Sequence, residues 1–198
     1  MERTPQILNL LLKHGRPEIL KEFRADSCIV STIIGIDVLS HFNVLANPLP
    51  VQVTIWNPAF CKRIQAGQPF PKDIQELDVW VKEDGAWNVG LGLGGDPEPG
   101  KWPGHLAVLA EGKYLIDLSL DQASRPHRNI NLEPLGMLVT EEFVTGKEPK
   151  IIQINDCVLR FLASPGNLGY SKSSDWSIRR RRADVVSAII RKVGEELK

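Results

Sequence analysis

The chain has 198 residues, with 24 Lys and Arg against 24 Asp and Glu, so its formal net charge is zero. At that length a 42% hydrophobic share is enough for one buried core, and the neutral balance excludes a global attraction to nucleic acid or anionic membrane as the dominant property. Cys28, Cys61 and Cys157 are too few and too scattered for a disulfide framework.

In chain order, Thr4 and Pro5 read as the start of a helix with Ile7, Leu8, Leu11 and Leu12 on one face. Gly15 is expected to stop it and Pro17 to open a second short one. Asp26 or Ser27 then caps a helix from about Cys28 to Phe42 that is apolar nearly all round, the pattern of a central, buried helix. Pro48 and Pro50 suggest a turn, followed by the alternating strand Val51–Trp56. A short helix or loop is expected around Cys61, then a strand at Leu77–Lys82, a turn at Glu83–Gly85 and a return strand over Ala86–Leu93.

The Gly- and Pro-rich stretch 94–103 leads into His105. Residues 104–117 read as strand, tight turn, strand, with His105 opening the first strand, Glu111-Gly112 supplying the turn and Asp117 closing the second. Residues 124–134 look irregular, Ile151–Leu162 returns to strand folded at Asn155-Asp156, and Asp175–Leu197 forms a last helix. Helices, then antiparallel strands, then a helix predict an α+β fold in a single domain. Its parts are an N-terminal helical segment (1–25), a core (26–163), and a loop with a basic C-terminal helix (164–198).

No N-terminal segment has the layout of a signal peptide, and no apolar run approaches the ~20 residues needed to span a bilayer. A soluble cytoplasmic protein with free thiols, and no membrane partner, is the expectation.

One constellation carries chemistry. Cys28 opens a helix, where the positive end of the helix dipole favours a thiolate. His105 begins one strand of a hairpin and Asp117 ends the other, so the two are neighbours across the hairpin. A thiol, an imidazole to take its proton and a carboxylate to orient the imidazole make a nucleophilic site. Asp121, just past the strand, is the alternative carboxylate. Trp102, before the histidine, is expected nearby, and the backbone N–H of Cys28 to face an oxyanion.

These pieces resemble the transglutaminase-like branch of the papain-like cysteine enzymes. The match lies in Asp26-Ser27-Cys28 with its apolar helix, the strand Pro50-Val51-Gln52-Val53, Gly104-His105-Leu106-Ala107-Val108, and Tyr114-Leu115-Ile116-Asp117-Leu118-Ser119. It spans about residues 26–120. The chain departs from that family's usual motifs at Ala107, where an aromatic is common, and at Asp26-Ser27, where a glycine often precedes the nucleophile. The resemblance implies a buried nucleophile helix packed on an antiparallel sheet and a catalytic Cys28–His105–Asp117 set. It also implies acyl chemistry on an amide or thioester of a peptide, protein or small acyl substrate, with no cofactor.

Other signals are weaker. Gly90-Leu91-Gly92-Leu93-Gly94-Gly95 matches G-x-G-x-x-G, but Asp96-Pro97-Glu98-Pro99-Gly100 follows where a dinucleotide site needs a helix, so a loop bordering the cleft is expected instead. No cysteine or histidine spacing suggests zinc. Residues 150–198 carry 10 Lys and Arg against 5 Asp and Glu, concentrated at Arg179, Arg180, Arg181 and Arg182. That run reads as a solvated face with an arginine paired to Asp175 or Asp184, or as the contact for an anionic partner. The competing functional reading is a non-catalytic binding or assembly module that uses the cleft and this basic helix.

Overall fold

The computed structural model describes residues 3–24, 27–94, 102–177 and 180–198. It is an α+β fold in which, among the described residues, six helices pack on an antiparallel sheet curled into a half-barrel. The helices are α1 (Arg3–Glu22), α2 (Cys28–His41), α3 (Pro58–Gln65), α4 (Ile74–Asp84), α5 (Glu141–Val144) and α6 (Arg180–Glu196). The strands are β1 (Ala46–Trp56), β2 (Asn88–Leu91), β3 (His105–Ala110), β4 (Tyr114–Asp117), β5 (Leu135–Leu138), β6 (Lys150–Ile154) and β7 (Cys157–Ala163). Their order across the sheet is β5-β4-β3-β1-β7-β6, and β2 pairs with β1 beyond the start of β3.

At β3 and β4 the sheet is buried on both sides, which is why those strands read as near-continuous apolar runs, while β1 from Val51 onward and β7 alternate. Ala107, Leu115, Leu49, Val51, Val53, Leu159 and Phe161 fill the half-barrel interior. Val108, Ala110, Ile116 and Leu118 face outward and pack against α1, α2 and α6 through Leu11, Ile19, Ile34, Val38 and Ile189. Burying each of the Val, Leu, Ile and Phe side chains among them contributes roughly 1.5–3 kcal/mol. α2 carries ten buried residues in fourteen, the all-round burial its composition predicts. Its Gly35 lies so close to the sheet that an added Cβ would stand 3.0 Å from both Leu118 Cδ1 and Val108 Cγ2.

Several sequence expectations are corrected. Residues Leu77–Lys82 are not a strand but lie within α4, whose ends are set by Asp73, accepting from the Glu76 N–H, and by left-handed Gly85. β2 therefore pairs with β1 and not with a strand at Leu77–Lys82. Gly15 and Pro17 do not divide α1, because Leu11, Gly15, Arg16 and Ile19 are all buried and that packing offsets the one backbone bond Pro17 cannot make. Pro48 and Pro50 sit inside β1, in the half where β3 is its neighbour and β7 has not yet joined, so their missing N–H groups cost no ladder bond there.

Asp26 lies outside the described residues. Ser27 occupies the N-cap position of α2 but makes no capping bond, its hydroxyl donating to the Arg24 carbonyl at 2.6 Å. The last helix begins at Arg180, after a 3-10 turn at Ser174–Ser177, and not at Asp175. Arg179 and the side chains of Arg180 and Arg181 lie outside the described residues. Arg182 pairs with Asp37 at 3.1 Å, not with Asp175 or Asp184. No helix among the described residues is long and apolar enough to cross a membrane.

Candidate active site

The β3–β4 hairpin sets the geometry from the backbone upward. Glu111 and Gly112 at its tip both have positive φ, 51° and 65°. The register pairs Ala110 with Tyr114 and Val108 with Ile116. Carried outward, that register places Ser119 opposite His105, with Asp117 its diagonal neighbour on the same, interior-facing side. His105 and Asp117 are each 1% exposed. His105 Nε2 donates to Asp117 Oδ2 at 2.7 Å, and Asp117 Oδ1 accepts from the Ser119 backbone N–H at 3.0 Å and from its hydroxyl at 3.3 Å. Both carboxylate oxygens are thus occupied and the ring orientation is fixed.

α2 is docked in step with β3. Thr32 Oγ1 donates to the Leu106 carbonyl at 2.9 Å, and one turn earlier Cys28 Sγ lies 3.9 Å from the Gly104 carbonyl. Four residues of helix rise about 6 Å and two residues of strand span about 6.6 Å, so consecutive turns of α2 meet alternate carbonyls of β3. That match carries Cys28 to the end of the strand where His105 begins. Ser27 gives the first turn of α2 no side-chain cap, and Cys28 is the first residue of that turn, at the positive end of the helix.

Burial alone would lower the His105 pKa. The Asp117 charge and hydrogen bond, with the hydrogen bond and charge of the Cys28 sulfur, outweigh burial and push it up to about 10. The Cys28 sulfur therefore lies within interaction range of the His105 imidazole.

Asp121, the alternative carboxylate, is turned away from the imidazole. Its oxygens lie 2.8 and 3.0 Å from Nε of Arg16, a buried residue of α1. The arginine holds the 3-10 turn Leu120–Ala123 against α1, and that turn carries a residue with no signature in the sequence. Gln122 places its amide nitrogen 2.8 Å from His105 Nδ1. Nothing in the spacing between Asp117 and Gln122 marks it, because the turn that aims its side chain follows from the Arg16–Asp121 contact.

Cys28, His105 and Gln122 line one cleft of about 660 Å³. Trp102 forms part of its wall and packs edge-on against Tyr170, which in turn meets Trp176. Gly90 and Gly92 also line the cleft. Gly92 has φ of 68°, and a Cβ there would stand 2.5 Å from the Val51 carbonyl and 2.8 Å from the His105 nitrogen. The glycine-rich stretch thus lets the chain leave β2 hard against His105, and its continuation at residues 95–101, expected as a loop over the cleft, lies outside the described residues. Cys61 and Cys157 are elsewhere, bonded to the carbonyls of Trp56 and Asn129, and burial pushes both thiols up.

No family model, curated protein or solved structure matches this chain.

Proposed function

We propose that this protein is a cysteine-nucleophile hydrolase or acyltransferase acting on an amide or thioester, built on the fold of the transglutaminase-like branch of the papain-like enzymes. The observation that carries the reading is the buried His105–Asp117 hydrogen bond at 2.7 Å, in a ring that shares a 660 Å³ cleft with a thiol at a helix start.

The chemistry follows from the atoms. Nε2 of His105 keeps its proton toward Asp117, so Nδ1 takes the proton from Cys28 and the electron pair stays on sulfur. The thiolate adds to the substrate carbonyl, and the backbone N–H of Cys28 faces the developing oxyanion. As the carbon–nitrogen or carbon–sulfur bond breaks, the imidazolium gives its proton to the departing amine or thiol, leaving a thioester on Cys28. Water or an amine, deprotonated by Nδ1, then releases the acyl group. A peptide, a protein side chain and a small acyl compound all fit this sequence.

The test needs no known substrate. Iodoacetamide should alkylate Cys28 well before Cys61 and Cys157, read by peptide mass, and His105→Ala should slow Cys28 at least about tenfold, the general-base effect being about 10²–10⁴. With a thioester panel, thiol release should vanish in Cys28→Ala, and added hydroxylamine should yield hydroxamate. Slow, equal labelling of all three thiols would contradict the reading and leave the non-catalytic module in its place.

A further inference from the structure

α2 is apolar nearly all round, so its packing has no single stripe to fix how the helix is turned or how far it is slid. Apolar contact is non-directional, and the buried polar groups on the helix carry the direction instead. Ser31 and Thr32 are 1% and 2% exposed. Ser31 accepts from Arg16 of α1 at 3.4 Å, and Thr32 donates its hydroxyl to the Leu106 carbonyl of β3 at 2.9 Å. We propose that Thr32 is a positioning residue: its bond to β3 sets the slide and turn of α2, and through them the place of the Cys28 sulfur against His105. The inference rests on the nucleophilic reading above.

The acceptor is available because of where the neighbouring strands end. On one side, the pairing of β3 with β4 runs from Ala110 to Val108 and goes no further toward Leu106. On the other, Leu106 stands opposite Pro50 of β1, which has no N–H to give. The Pro50 carbonyl is engaged elsewhere, accepting from the Ser164 N–H at 2.8 Å. The Leu106 carbonyl takes its donor from α2 instead, in a buried setting where an unmet carbonyl is unfavourable.

Cys28 is one turn before Thr32 on the same face of the helix, and His105 directly precedes Leu106. The bond thus ties the thiol's helix to the histidine's strand one turn from the sulfur and one residue from the imidazole. A slip of one residue would move the sulfur about 1.5 Å along the helix axis and turn it by about 100°. Misplacing reacting groups by about 1 Å can slow a reaction about 10²-fold. Gly35 sets how closely α2 approaches the sheet, and Thr32 sets where along β3 it stops.

The test is iodoacetamide labelling of Cys28 across pH in the full-length protein, comparing wild type, Thr32→Val and Thr32→Ser, with thermal melting read on each. Valine keeps the β-branched shape and removes the hydroxyl; serine keeps the hydroxyl and removes a core methyl. Thr32→Val should slow Cys28 about ten- to hundredfold near neutrality, toward the His105→Ala rate. The difference should close at alkaline pH, where a thiol ionises without a base. Adding His105→Ala to Thr32→Val should slow labelling far less than it slows wild type. Thr32→Ser should melt lower yet label Cys28 at close to the wild-type rate. A folded Thr32→Val with the wild-type rate and pH profile, or with a full His105 effect in its background, overturns the positioning role. A serine variant slowed tenfold or more overturns it too, because packing would then be the cause, and serine decides the matter if valine does not fold. Loss of selective, His105-dependent labelling in the wild type overturns the nucleophilic reading instead.

Discussion

At the residue scale, the imidazole of His105 is the most constrained group in the protein, held at Nε2 by a buried carboxylate and met at Nδ1 by an amide. Under the proposed acyl chemistry, Asp117→Asn should lower turnover by about 10²–10⁴-fold, because an amide at that position no longer fixes the required tautomer. The same substitution should alter stability with pH. The folded-state pKa of His105 stands above its ordinary 6.5, at about 10, so its pairing stabilises the fold fully below pH 6.5 and is lost as pH rises through about 10. The wild-type melting temperature should therefore fall across that window, and Asp117→Asn should flatten the decline. A parallel fall in both proteins would assign the effect to other groups. Cys28, His105 and Asp117 were legible in the sequence because a helix start and a hairpin register are local properties. The choice between Asp117 and Asp121 was open until Arg16, distant in sequence, was seen to claim the second carboxylate.

At the element scale, α2 and the β3–β4 hairpin act as one unit whose spacing is set by Gly35. A helix interior normally disfavours glycine by about 1 kcal/mol relative to alanine. Here the missing side chain lets α2 approach Leu118 and Val108. Gly35→Val should destabilise by about 1–3 kcal/mol through overpacking, seen as a lower urea midpoint with an unchanged slope. It should also slow Cys28 labelling by shifting the thiol along β3; an unchanged midpoint would mean that the interface has slack. α4 shows where a short window misleads. Leu77, Val79 and Val81 alternate as a strand would, but the decisive signals flank them: Asp73 with Glu76 three residues on, and Gly85 at the exit. None of the residues of α4 is buried, so no core face was there to impose a helical period.

At the scale of the whole molecule, the two terminal helices close over the outer face of the sheet. Their contact is marked by Glu18 of α1, buried and bonded to Lys192 of α6 at 2.7 Å and to Lys21. Hydrogen bonds from Lys192 and then Lys21 hold the Glu18 carboxyl below its ordinary value. A depressed carboxylate contributes stability above its unfolded pKa and loses it as pH falls through the folded one. Glu18→Gln should lower the melting temperature at neutral pH, and the gap to wild type should close on acidification below the ordinary carboxylate range. A gap that stays constant with pH would mean that packing, not charge, joins the helices. Lys13 and His14 to Glu196 form a second, more exposed contact between the same helices, expected to contribute little.

The sequence by itself determined the α+β class, the buried helix opening at Cys28, and the two hairpins at Glu111-Gly112 and Asn155-Asp156, because composition, periodicity and turn residues act over a few positions. Only the tertiary structure decided that β1 runs on through its prolines, that α1 runs on through Gly15 and Pro17, and that Gln122 reaches the far side of the His105 imidazole. Each of those depends on a neighbour distant along the chain, β3 for the prolines, the buried sheet face for α1, and Arg16 for the turn that aims Gln122. Packing between such surfaces overrides local preference without leaving a mark in the local pattern.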